Sequence, residues 1–173
     1  MLLSGVTLSS ALLLAGIVSA QTPVGFEPEV KDRLEIIFGS KVVETPGADL
    51  ERSANFQNPS AGPRRTNLHA LITGFTPTSS PINATTPDGE PIYALGPPDQ
   101  GSAGPVPYVG PAPPPETPPH PHRYVSLLYE TAADFAVTRE QVGQALGFDL
   151  AAFVEKVGLE APPVRGGYFN VTG

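Results

Sequence analysis

Fifteen of the 22 prolines in this 173-residue chain fall between Pro77 and Pro121, and that clustering limits the fold more than any other feature. Proline locks φ and donates no amide hydrogen, so Pro111 to Pro119 should run as a polyproline-like segment that cannot join a sheet interior. It leads directly into His122-Arg123-Tyr124-Val125-Ser126-Leu127-Leu128-Tyr129, which reads as a strand. Side chains alternate along a strand. Arg123, Val125, Leu127 and Tyr129 therefore share one face, and His122, Tyr124, Ser126 and Leu128 the other. Both faces carry apolar bulk, which predicts an interior strand with His122 at its mouth, and a stiff wall meeting such a strand can form a pocket. Composition leaves a second reading for the proline-rich stretch, a disordered linker, because few large apolar residues offset the entropy of ordering it. Tyr93, Tyr108 and Val109 argue against that reading as anchors, and no second domain follows for a linker to join.

The rest of the chain carries shorter signals. Leu34 to Phe38 and Val42 to Val43, separated by Gly39-Ser40 and followed by Thr45-Pro46-Gly47, read as a hairpin or two edge strands. From Glu51 to Arg65 the chain is polar apart from Phe56, so no buried strand is drawn there. Leu68, Leu71, Ile72 and Phe75 form a short apolar segment around His69. Thr138 with Gln141 three positions on is a capping box, and Gly147 suits the stop of that helix. Asp149 can cap a second helix whose Leu150, Phe153, Val154 and Val157 lie on one face and which Gly158 ends. Those four residues read as core and not as a cofactor site. Tyr168 to Val171 reads as a last short strand.

The first twenty residues carry no charge, hold an apolar run from Ala11 to Val18 and end in Val18-Ser19-Ala20, the small-residue pattern a signal peptidase cleaves. Residues 1–20 are thus read as a signal peptide and 21–173 as a single domain with one core and a proline-rich insertion at 76–121. The product is expected to be secreted, into the extracellular space or a vacuole of the secretory pathway. A net charge of -7 with no basic run repels phosphate backbones, which argues against nucleic acid as a partner. With no cysteine there is no disulfide, no thiol chemistry and no thiolate-bound zinc. Asn83-Ala84-Thr85 and Asn170-Val171-Thr172 are glycosylation sequons. Asn83, in a loop-like region, is the one expected to carry a glycan, whereas Asn170 lies in a strand close to the C-terminus. His120-Pro121-His122 has no third histidine or carboxylate cluster at ligand spacing, so neither metal nor other cofactor is expected. No Gly-x-Ser-x-Gly occurs and no triad is evident, so the chain is not read as an enzyme.

Tyr108-Val109-Gly110 with Pro113-Pro114, then His122-Arg123-Tyr124-Val125 with Leu127-Leu128-Tyr129, resembles the signature of the phosphatidylethanolamine-binding protein family, its secreted fungal members in particular. Leu68-His69 ahead of Leu71-Ile72-Thr73 is similar to another of its segments. So are the run from Leu34 to Val43 and the C-terminal Phe148-Asp149, Phe153, Gly158-Leu159, Pro163-Val164 and Gly167-Tyr168-Phe169. The resemblance implies a mainly β protein, an antiparallel β-sandwich with a few short helices. It also implies a small pocket for phosphate-like or acetate-like anions and phospholipid headgroups, lined here by His69, Gly110, His122 and Tyr124. Some relatives inhibit serine carboxypeptidases or other proteases, which makes a protease a partner by resemblance alone. The residue types agree with an anion site. Imidazoles and a phenol supply donors, and glycine lets an oxyanion approach the backbone. A histidine at a strand end can equally be a structural hydrogen bonder, and His120 is read as solvated.

One departure stands out. The family carries an Asp-Pro-Asp-Ala-Pro motif on a central strand just before its Leu-His segment, and only Asn58-Pro59-Ser60 stands near that place; the tryptophan after the histidine is Ala70 here. A central strand buries several side chains at roughly 1.5–3 kcal/mol each, against a total domain stability of about 5–15 kcal/mol. The sandwich is therefore incomplete unless a segment such as Ile92 to Leu95 takes the vacant place. Without those carboxylates the imidazoles lose orienting acceptors, and binding should be weaker and less selective. The alternative function follows from this departure: a degenerate or alternatively spliced relative with no ligand binding.

Overall fold

The structure is a computed structural model that describes residues 20–38, 41–43, 45–50, 65–86, 89–96 and 104–173. Nearly all of the expected signal peptide, and the stretch 51–64 with its Asn58-Pro59-Ser60 remnant, lie outside the described residues. Strands β1 (Ile37–Phe38) and β2 (Lys41–Val42) pair antiparallel with Ile37 opposite Val42, the hairpin expected around Gly39-Ser40. Strand β3 (Ala48–Leu50) follows a tight turn in which Ala48 N donates to Thr45 O at 3.1 Å. Proline at the second position and Gly47 at the third, with φ +79°, are what a type II turn requires.

The proline-rich region is not a linker throughout. β4 (Thr76–Thr85) and β5 (Pro91–Gly96) form an antiparallel two-stranded ribbon, with Pro77 opposite Leu95 and Pro81 opposite Tyr93. A two-stranded ribbon has no interior strand, so a missing amide can face outward and proline is tolerated. Ile92 is buried, but β5 pairs with β4 alone among the described strands. It does not take the vacant central place. Further on, the polyproline segment behaves as expected: residues 107–120 join no strand, while Pro111 and Pro113 are buried.

β6 (Pro121–Leu128) is followed by α1 (Arg139–Val142), α2 (Leu150–Val157) and β7 (Arg165–Thr172). The largest sheet has the order β3-β7-β6. β6 runs antiparallel to β7 in unbroken register from Pro121 opposite Thr172 to Leu128 opposite Arg165, and β3 runs parallel to β7. The expectation of β6 as an interior strand is thus corrected. Among the described residues β6 is the sheet edge and none of its residues is fully buried, whereas β7 buries Gly166, Gly167, Phe169 and Val171. A strand that starts at proline straight out of a polyproline wall suits an edge. The two β7 glycines give the N-terminal segment room to lie alongside. Leu34 N donates to Gly166 O at 2.7 Å and Gly166 N to Asp32 O at 2.9 Å. A Cβ on Gly167 would sit 2.7 Å from Leu34 O.

The helices follow their local signals. Thr138 and Gln141 form the capping box in full, with Gln141 N to Thr138 Oγ1 at 3.3 Å and Thr138 N to Gln141 Oε1 at 2.8 Å. The helix nevertheless stops at Gly143, φ +75°, and not at the expected Gly147, whose N–H is engaged by Thr66 O at 2.8 Å. Asp149 Oδ1 caps α2 by accepting from Ala152 N at 3.0 Å, and Gly158 ends it in the left-handed region with φ +70°. Among the described residues, most of the buried apolar side chains fall into two clusters. The first joins Val43, Phe169 and Val171 with Ile36, Ala48, Leu50 and Tyr124. The second joins Val106, Val142 and Phe153 with Leu68, Leu71 and Phe148, among others. The described residues are mainly β, with antiparallel pairing everywhere but β3–β7 and with few, short helices, the class expected.

Candidate functional site

His69 stands in sequence between Leu68 and Leu71 of the second cluster and packs its ring on Tyr124 of the first. The segment before it is pinned to the turn between the helices: Thr66 Oγ1 donates to Phe148 O at 2.7 Å and Leu68 N to Ala145 O at 3.0 Å. The segment after it pairs with Val106, Leu71 N donating to Val106 O at 3.0 Å. His69 itself is clamped to Val109 twice. Val109 N donates to His69 O at 2.8 Å, and His69 Nδ1 lies 2.8 Å from Val109 O. A carbonyl only accepts, so Nδ1 carries the proton, and Nε2 accepts from Asn67 Nδ2 at 3.3 Å. Both ring nitrogens thus have a partner.

The His69 ring packs edge-on against Tyr124, centroids 5.1 Å apart at 76°. Tyr124 in turn stacks on Phe169, 5.5 Å apart at 12°. Tyr124 and Phe169 are direct cross-strand partners, so the phenol rests on the best-buried of the described strands. Gly110 follows Val109 and is half-buried. It has no positive φ, so what it offers the site is the absence of a side chain. The sequence-predicted His69, Gly110 and Tyr124 are thereby brought together.

His122 lies two residues before Tyr124 on the same face of β6, about 6–7 Å along the strand at 3.2–3.4 Å per residue. Its Nε2 is 3.1 Å from Glu116 Oε1, and both side chains are about one quarter exposed, 26% and 27%. That pair corrects the expectation that His122 would lack an orienting carboxylate, because the polyproline wall supplies one. Sequence reasoning missed Glu116 although it is the lone acidic residue between Asp99 and Glu130. It also missed Asn67 and the Val109 carbonyl. His120, by contrast, is exposed. At the far end of the same strand, burial raises the Tyr129 phenol above its ordinary value. Its hydroxyl is buried with no hydrogen-bond partner among the described residues.

Asn83 is exposed on β4, in a strand and not in the loop-like stretch expected, and Asn170 Nδ2 donates to Gly47 O at 2.7 Å. A separate open cleft of about 280 Å³ runs along the two helices, lined by Gln141, Leu146, Phe148, Phe153 and Lys156 among others. It falls just below the usual size of ligand cavities, about 300–1,000 Å³, and none of the sequence-predicted site residues lines it. Among the described residues no group of three His, Asp or Glu side chains could hold a metal ion, and no helix is long and apolar enough to cross a membrane.

A family profile described as phosphatidylethanolamine-binding protein matches residues 54–169. Phomoidride biosynthesis cluster protein N of Talaromyces stipitatus (strain ATCC 10500 / CBS 375.48 / QM 6759 / NRRL 1006) is 30% identical to this chain over 195 aligned residues, covering 92% of the chain and 93% of the relative. No solved structure matches. The profile spans more than half of the chain, and it takes in His69, Gly110, His122, Tyr124 and their Phe169 support. The chain belongs to the phosphatidylethanolamine-binding protein family.

Proposed function

We propose that the protein is a secreted, non-enzymatic binding protein of the phosphatidylethanolamine-binding type. Its ligand is a phosphate-like anion or a phospholipid headgroup, held at His122, Tyr124 and Gly110 with His69 behind them. Family membership supports a binding protein. The observation that carries the finer reading is the edge-on contact of Tyr124, on the strand face that also bears His122, with His69, whose ring is hydrogen-bonded to the Val109 carbonyl next to Gly110. His122 and Tyr124 are the donors. His69, engaged at both nitrogens, positions Tyr124 and Gly110 and does not itself donate. The Glu116 carboxylate accepts from His122 Nε2, so the ring nitrogen left to meet an anion is Nδ1.

Calorimetric titration of the mature protein with phosphoethanolamine, inorganic phosphate and acetate tests this, beside His122→Ala and Tyr124→Phe. A saturable heat is expected in the wild type. His122→Ala should weaken it about 10-fold or more, since a charge-assisted hydrogen bond contributes roughly 1.5–3 kcal/mol. No heat in the wild type removes the reading. The acetate arm asks whether the site holds a carboxylate as well as a phosphate. Inhibition of a serine carboxypeptidase is supported by family alone and is checked by a direct activity assay.

The alternative, a shortened relative that binds no ligand, also has an observation in its favour. An alignment of 195 positions exceeds the 173 residues of the chain, so the relative holds segments that face gaps here. Sequencing transcripts across the codons for Leu50 to Leu68 separates the readings. A longer product carrying the acidic motif supports the shortened-relative reading, and a uniform transcript removes its spliced form.

A further inference from the structure

We propose that the β4–β5 ribbon is a glycan-bearing arm, O-glycosylated with hexose on the hydroxyls of Thr78, Ser79 and Ser80. This rests on the export reading above. The strand register carries the argument. Pro77 faces Leu95, Pro81 faces Tyr93 and Thr85 faces Pro91. Thr78-Ser79-Ser80 therefore stands opposite Ala94 alone, and Ile82-Asn83-Ala84 opposite Ile92 alone. Each is a bulge in which β4 carries two more residues than its partner, and a bulge takes backbone out of the ladder and turns it to solvent.

What the first bulge presents is chemically uniform. Residues 74–81 are all exposed, and Thr78 Oγ1 donates to Ser80 O at 2.9 Å in an exposed position. Pro77 and Pro81 bracket the three hydroxyls. Each holds the backbone extended and removes an amide donor, which discourages another strand from adding to this edge. The result is an extended, accessible peptide of Ser and Thr between prolines, the composition of O-glycosylated stalks. The second bulge presents Asn83, the acceptor of the sequon, also exposed. Ile92 anchors the opposite strand at 8% exposure, so bulk added to the β4 bulges leaves that anchor in place.

In the reaction a hydroxyl oxygen attacks the anomeric carbon of a phosphate-activated hexose. The new C–O bond forms as the bond to phosphate breaks, the electron pair leaves with the phosphate, and the hydroxyl proton passes to a base of the transferase.

The test uses the full chain expressed in a fungal or other eukaryotic host, its secreted product weighed before and after enzymatic removal of N-glycans. Wild type should keep hexose increments after that removal. Thr78→Ala/Ser79→Ala/Ser80→Ala should lose them, and Asn83→Gln should keep them. Electron-transfer fragmentation of the wild type should place them on residues 78–80, which needs no variant to fold. A secreted product whose mass falls to that of the bare peptide, hexose mapped elsewhere, or phosphate on these hydroxyls overturns the proposal while export stands. A product that retains residues 1–20 and carries no sugar overturns both.

Discussion

Replacing Phe169 by alanine removes the ring on which the whole candidate site rests. Phe169 is 5% exposed on the central strand, belongs to the cluster with Val43 and Val171, and stacks on Tyr124 at 5.5 Å. Truncating a buried phenylalanine costs about 3–5 kcal/mol, transfer and cavity together. The aromatic pair accounts for about 0.5–1.5 kcal/mol of that. Eight apolar side chains make up the buried core of the described residues, so little other burial is available to absorb the loss, and domain stability is only about 5–15 kcal/mol. Urea unfolding followed by far-UV circular dichroism should show the midpoint collapse toward zero denaturant for Phe169→Ala. Phe169→Leu, which keeps most of the volume, should lose about 1.5 kcal/mol or less. Phe153→Ala probes the second cluster, where the ring is 6% exposed, and should fall in the same range. A loss under about 1 kcal/mol for Phe169→Ala would refute the reasoning, because a ring buried in a well-packed core cannot be that cheap to remove.

Three further outcomes follow from single contacts. Tyr129→Phe should stabilise the fold, because a buried hydroxyl left without a partner costs about 1–3 kcal/mol. The Tyr129 phenol is raised above 10.0 by burial, so the folded state holds its proton more tightly than the unfolded chain. Stability must then fall as pH rises through that ordinary value, and the variant should flatten this alkaline decline in urea midpoints taken from about pH 8 to about pH 11. Destabilisation by Tyr129→Phe would mean that the hydroxyl has a partner. Gly47→Ala forces a side chain into φ +79° with its Cβ 2.8 Å from Tyr168 Oη. It should cost more than about 1 kcal/mol by the same unfolding measurement, since left-handed backbone alone costs a non-glycine residue about 1–2 kcal/mol. Asp149→Ala deletes the α2 cap and should cost about 0.5–2 kcal/mol, with Asp149→Asn recovering most of it.

What could be read from the residues was what local chemistry decides. The turn at Pro46-Gly47, the capping box at Thr138, the Asp149 cap and the stop at Gly158 all depend on neighbours within a few positions. Failures came where distant chain decides. Apolar residues on both faces of β6 suggested cover on both sides, but pairing placed β7 at the sheet centre and β6 at its edge. β7 itself was read only from Tyr168 onward, because Gly166 and Gly167 look like loop residues until the N-terminal segment is seen lying against them. Prolines spoke against a strand at 76–85, yet a lone two-stranded ribbon has no interior ladder for them to break. At the site, Gly110, His122 and Tyr124 were legible through the family signature. Glu116 was not, since its meeting with His122 depends on the path of the polyproline wall, and Asn67 was not, since its amide reaches His69 only in the folded segment.

Long-range nitrogen-15 spectra of the imidazole rings, recorded while phosphoethanolamine is added, test the central claim most directly. The three histidines report separately on the donor, the positioning ring and the solvated control. The His122 signals should move along a saturable curve, those of His69 should respond more weakly at the same midpoint, and those of His120 should stay in place. Equal, unsaturating shifts at His120 and His122, or no shift at either, would contradict an anion site on this face of β6.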